Sequence, residues 1–117
     1  MDMIPPLTLW HNPRCSKSRA ALALLEDAGH APDIRLYLSV PPTPDEIAAL
    51  LTRLDITPRA LVRRSEALYK DLGLADVDDA ALIMAMATHP IMIERPILIT
   101  PQAAAIGRPP EEILSLL

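Results

Sequence analysis

The sequence predicts a single α/β domain over residues 1–117, with a four-stranded mixed sheet and a helical insertion at about residues 43–88. Three observations lead there. The chain opens with apolar runs and a helical pattern in the order strand, helix, strand. A stretch of short, proline-started helical patterns follows, with little strand signal. Apolar β runs then return near residue 95. Half of the residues are hydrophobic, Phe is absent and aromatics are 3%, so the core must be aliphatic.

Each element has its own signal. Leu7–Trp10 is a short apolar run ended by Asn12-Pro13, which predicts a strand. Ala21, Leu24, Leu25 and Ala28 repeat at helical spacing, and Gly29 offers the left-handed stop beyond them. Asp33–Leu38 alternates Ile34, Leu36 and Leu38 with polar or amphipathic residues, so it reads as a strand. A crossover of that length suits a right-handed parallel βαβ unit. Thr43, Pro44 and Glu46 form a capping box for a helix that buries Ile47, Leu50, Leu51 and Leu54. Thr57-Pro58 starts a short helix through Arg63. Ser65 is placed as the cap of another helix, stopped by Gly73. Asp78 or Asp79 starts a further one, with Leu82, Ile83 and Met86 inward. Arg95–Thr100 is a strand, "QAAAIGR" is a weaker one, and "PPEEILSLL" ends as a helix with acids in its first turn.

Composition narrows the function. A formal charge of −4 argues against a nucleic-acid partner or an anionic-membrane binder, so an anion site must be local. No apolar stretch approaches the roughly 20 residues that span a bilayer. The start, "MDMIPPLTLW", has an acid and two prolines where a signal peptide has a basic then apolar run. One cysteine cannot form an internal disulfide, which fits a reducing cytoplasm. His30 and His89 are isolated and no metal cluster is expected. Met84 and Met86 read as core packing.

That cysteine carries the chemistry. Cys15 lies in "HNPRCSKSR", between a strand and a helix start, with His11, Arg14, Lys17 and Arg19 adding positive potential. A free thiol has a pKa of about 8.5, and helix N-termini with basic neighbours lower it to roughly 3.5–7.5. A lone cysteine is ordinarily a buried packing residue. The polar loop and the helix start favour a nucleophile here. Ser18 stands where a C-x-x-C motif has its second sulfur. It can donate a hydrogen bond to the thiolate but cannot resolve a mixed disulfide.

The order strand–helix–strand, helices, strand–strand–helix is that of a thioredoxin-like domain with an insertion. "HNPRCSKSR", "TPRALVRR", "YKDLGLAD", "HPIMIERPILIT" and "IGRPPEEILSLL", in register along nearly the whole chain, resemble the glutaredoxin-coupled arsenate reductase family. The resemblance implies Cys15 as nucleophile and Arg63, Arg95 and Arg108 as ligands of the arsenic oxyanion. It implies that His11 and Ser18 lower the cysteine pKa and hold the thiolate, and that Arg95-Pro96 is a cis bond. Glutathione as co-substrate and glutaredoxin are the implied thiol donors, with no bound cofactor. Familiar resistance enzymes carry a glycine-containing C-x-x-S loop and run some twenty residues further. "RCSKSR" and "GRPPE" resemble a shorter branch. Two other readings are a non-arsenate, glutathione-linked thiol oxidoreductase and a redox regulator of this fold that binds RNA polymerase. The regulator branch uses a C-x-x-C switch, which Ser18 removes.

Overall fold

The computed structural model describes residues 6–117. The N-terminal residues read against a signal peptide lie in part outside the described residues. The chain forms two compact units. One runs up to Tyr37 and resumes at Arg95–Leu117; the other is Leu38–Glu94, within which the expected insertion falls.

The first unit holds the sheet. Its strands are β1 (Thr8–Trp10), β2 (Asp33–Arg35), β3 (Ile97–Ile99) and β4 (Ala104–Ile106), in the order β2-β1-β3-β4. β1 and β2 are parallel, with Leu9 opposite Ile34. β1 and β3 are antiparallel, with Leu9 opposite Leu98, and β4 returns antiparallel to β3. Helix α1 (Ser16–Asp27) makes the crossover from β1 to β2. The core is Leu9, Ala21, Leu25, Leu98 and Ile113, with Leu7, Leu22 and Leu116 packed around it. Burying each large aliphatic side chain contributes roughly 1.5–3 kcal/mol. Ile113 comes from a C-terminal 3₁₀ segment, Pro110–Leu116, where a regular helix was expected.

The end of α1 is built by glycine. Gly29 has φ +86° and donates its N–H to Glu26 O at 3.0 Å, while His30 N–H reaches Leu25 O at 2.9 Å. This pair of bonds is a Schellman motif, which needs the left-handed residue that Gly29 supplies.

Strand β2 differs from its expectation. It stops at Arg35, short of the expected Leu38, and the chain turns at Tyr37. Ile34, Leu36 and Leu38 are exposed, at 43%, 40% and 39%, whereas Tyr37 is 2% exposed. Aromatic packing buries Tyr37 beyond the strand end. Tyr37 stacks on Trp10 with ring centroids 6.4 Å apart, and the Arg35 guanidinium lies 5.9 Å above the Trp10 ring.

The second unit is helical: α2 (Pro44–Leu54), α3 (Pro58–Leu61), α4 (Ala67–Asp71) and α5 (Asp79–Thr88), with 3₁₀ turns at Leu74–Asp76 and Pro90–Met92. The Thr43–Glu46 capping box is complete, and Asp78 caps α5 by accepting Ala81 N–H at 2.8 Å. α2 packs on α5. Ile47, Leu50, Leu61, Leu82, Met86 and Met92 are buried, while Met84 is exposed. α3 ends at Leu61 rather than Arg63. Glu66, not Ser65, takes the N-cap position of α4. Arg59 clamps this region. It donates to Tyr69 Oη at 3.0 Å, Leu74 O at 2.7 Å and Val77 O at 2.7 Å.

Candidate active site around Cys15

The loop from β1 to α1 is pinned at several points. His11 N–H donates to Arg35 O at 2.9 Å, and Cys15 N–H to Asn12 O at 3.0 Å. Asn12 Oδ1 accepts Arg14 N–H at 3.0 Å, the hydrogen bond that closes an Asx turn. Arg19, from the second turn of α1, donates Nη1–H to Pro13 O at 2.9 Å. The result places Cys15 at the N-cap of α1 with φ −94° and ψ 123°.

The sulfur is half-buried, and burial pushes its pKa up. Against that stand the backbone N–H groups of Ser18 and Lys17, then the charge and a hydrogen bond of Arg95. The balance holds the Cys15 pKa below that of an ordinary cysteine. The physical cause is a helix N-terminus whose unpaired N–H groups and dipole face an anion. No acid lies in the first turn of α1 to compete for them.

His11 and Ser18 work behind the sulfur. Ser18 is fully buried, and its Oγ lies 2.7 Å from His11 Nδ1. The same Oγ accepts Asn12 N–H at 3.0 Å. Burial, and secondarily the charge of Arg19, holds the His11 pKa below its usual value. Ser18 Oγ and His11 Nδ1 share one hydrogen bond, whose direction follows the tautomer of the ring. Ser18 meets the sulfur through its backbone N–H, while its hydroxyl is engaged with His11 and Asn12. His11 supplies geometry rather than positive charge at neutral pH.

Arg95 enters the first unit just before β3, and its guanidinium is a hydrogen-bond donor to Cys15. The Arg95-Pro96 bond is cis, as the resemblance implied, and so is Arg108-Pro109. Arg108 Nε–H donates to Arg95 O at 3.1 Å, which ties the two arginines together through the main chain. Gly107 N–H donates to Pro96 O at 2.8 Å. A Cβ on Gly107 would stand 2.7 Å from Pro96 Cγ, so this approach requires glycine.

The structure thus brings Cys15, His11, Ser18, Arg95 and Arg108 into one unit. Arg63 belongs to the other unit and has a different setting. Its Nη1 lies 2.7 Å from Glu66 Oε1 and donates to Ile91 O at 3.2 Å, and its Nε lies 3.6 Å from Glu94 Oε1. Sequence reasoning missed these glutamates, although the i, i+3 spacing of Arg63 and Glu66 was a readable signal. It also missed Asn12 and Arg19 as braces of the loop. Asn-Pro was the clue to the first; nothing local marked Arg19 apart from the other basic residues. Among the described residues no group of three or more His, Cys, Asp or Glu could hold a metal ion, and no helix is long and apolar enough to cross a membrane.

A thioredoxin-like sheet with a low-pKa cysteine at the first helix start defines a class of thiol-chemistry proteins. The sequence profile of the ArsC family matches residues 10–116, and the chain belongs to that family. It is 44% identical over 117 residues to an arsenate reductase of Neisseria meningitidis serogroup A, covering 97% of this chain and all of that one. It is 42% identical over 113 residues to an arsenate reductase of Escherichia coli K12, covering 95% of this chain and 80% of that one. The solved structure of an arsenate reductase from Vibrio cholerae superposes with a TM-score of 0.95 at 45% identity, covering 98% of this chain and all of that one.

Proposed function

We propose that this protein reduces arsenate to arsenite, with Cys15 as the nucleophile and with glutathione and glutaredoxin as thiol donors. The observation that carries the proposal is the sulfur itself. It faces two helix N–H groups and a guanidinium, which favour the thiolate and the tetrahedral anion that approaches it. Relatives named arsenate reductase at 42–44% identity support the choice of oxyanion.

The Cys15 thiolate forms a bond to arsenic, and one As–O bond breaks, its oxygen leaving as water after protonation. Arg95 and Arg108 hold the remaining oxygens, with Arg63 as the further ligand that the resemblance implies; guanidinium forks match tetrahedral oxyanions and stay charged. Glutathione then forms a second As–S bond with loss of another water. The glutaredoxin thiolate attacks the glutathionyl sulfur. An S–S bond forms, and the electron pair of the As–S bond stays on arsenic, so As(V) becomes As(III). Water then cleaves the Cys15–As bond, releasing arsenite and the thiol. With one cysteine in the chain, both electrons come from the two outside thiols. A glutathione-containing, reducing compartment is the setting this chemistry needs.

The test is direct. Purified protein supplied with arsenate, glutathione and glutaredoxin forms arsenite, and Cys15→Ser abolishes it. A wild-type protein with an activated thiol and no arsenite formation would instead place it with non-arsenate, glutathione-linked thiol oxidoreductases.

A further inference from the structure

The Arg63 guanidinium has two edges that can grip an oxyanion at two points, Nε/Nη2 and Nη1/Nη2. Each edge includes a nitrogen that a glutamate already faces. Nη1 is 2.7 Å from Glu66 Oε1, and its second hydrogen points to Ile91 O at 3.2 Å. Nε is 3.6 Å from Glu94 Oε1. The side chains are only 17%, 24% and 26% exposed, so this is not a pair dispersed in solvent. Glu66 is also held by its backbone: its N–H donates to Arg63 O at 3.2 Å, and its carbonyl accepts Tyr69 N–H at 3.0 Å. Glu94 N–H donates to Leu61 O at 3.0 Å, while Arg63 N–H donates to Met92 O. Both carboxylates are thus presented to Arg63 by anchored main chain.

We infer that Glu66 and Glu94 are specificity-determining residues: resident carboxylates that an incoming oxyanion must displace from Arg63. This rests on the reading of Arg63 as an oxyanion ligand. Two carboxylates face one guanidinium, so Arg63 does not present an uncompensated positive charge. An anion gains Arg63 only if its own contacts exceed those of a carboxylate. A tetrahedral oxyanion, with several acceptor oxygens to engage an edge of the guanidinium at two points, meets that condition. Chloride or nitrate does not. The glutamates therefore trade substrate affinity for rejection of weaker anions, a use of repulsion to gain selectivity.

The experiment is steady-state arsenate reduction by wild type, Glu66→Gln and the Glu66→Gln/Glu94→Gln double variant, with chloride and nitrate as inhibitors. Glutamine keeps the size and an acceptor oxygen but removes the charge. The expected result is an arsenate KM lowered about 3–10-fold with kcat little changed, together with new inhibition by chloride or nitrate. Arsenate binding to the same variants in a Cys15→Ser background, by calorimetry, tightens in parallel. A KM that is unchanged or raised would show that the glutamates only brace Arg63, and would overturn the inference while arsenate reduction stands. Wild type that neither turns over nor binds arsenate would overturn the parent reading, and the inference falls with it.

Discussion

Helices α1 and α2 begin in opposite ways. α2 closes its own N-terminus. The Thr43 hydroxyl accepts Glu46 N–H at 3.1 Å, Glu46 Oε1 accepts Thr43 N–H at 3.1 Å, and Asp45 and Glu46 place two acids in the first turn. α1 leaves its N-terminus open. Cys15 holds the cap position, no acid follows, and as a thiol it makes no side-chain cap bond. When it ionises, its sulfur takes the N–H groups of Ser18 and Lys17. The comparison teaches where a helix end becomes a chemical tool. A cap worth about 1 kcal/mol to an ordinary helix is forgone at α1, and the vacancy is filled by the reacting atom.

The comparison can be broken most severely at the sulfur. Cys15→Ser retains a cap-forming hydroxyl but no nucleophile, so arsenite formation should fall to background while the fold melts cooperatively as before. Arg95→Ala comes next. It removes the one side-chain donor to the thiolate, and arsenate kcat/KM should fall about 100-fold or more, the scale of losing a preorganised donor to developing charge. Alkylation of the thiol should slow but persist. Gly107→Ala follows. Its Cβ would collide with Pro96, so the expectation is a loss of about 1–3 kcal/mol in denaturant unfolding and a slower reductase, by displacing the residue next to Arg95.

A smaller change sharpens the contrast between the two helix starts. Ser16→Asp gives α1 the acid that α2 already has. It should leave the fold as stable or more so, yet slow Cys15 alkylation at pH 6 by about 3–10-fold through like-charge repulsion. The converse at α2 is Thr43→Ala, which should cost about 1 kcal/mol of stability and leave the alkylation rate unchanged.

The fold was legible where one local signal sufficed. Thr43-Pro44-Asp45-Glu46 spells a capped helix start, and Gly29 a helix stop, because those rules act within a few residues. Three features needed tertiary contacts. The early end of β2 goes with Tyr37, which lies in the following turn and stacks on Trp10. The N-cap position of α4 fell to Glu66, whose side chain makes no cap bond and pairs with Arg63. The second cis bond, at Arg108-Pro109, had no sequence marker distinguishing it from the chain's other prolines. The site shows the same division. Cys15 at a helix start could be read from its neighbours. That Arg95 rather than His11 or Arg14 supplies the sulfur's side-chain donor depends on β3 returning beside β1, some eighty residues later.

The open helix start implies a definite pH dependence. The folded pKa of Cys15 lies below its unfolded value. The ionised sulfur therefore stabilises the fold fully above the unfolded pKa of about 8.5, and this contribution is lost as pH falls through the folded pKa. The same displacement fixes reactivity. The most direct measurement is the rate of Cys15 alkylation by iodoacetamide between pH 4 and 10. The account predicts a single titration with its midpoint below that of free cysteine, moved upward by Arg95→Ala and by Ser16→Asp. A midpoint at or above the free-cysteine value, indifferent to both substitutions, would contradict it.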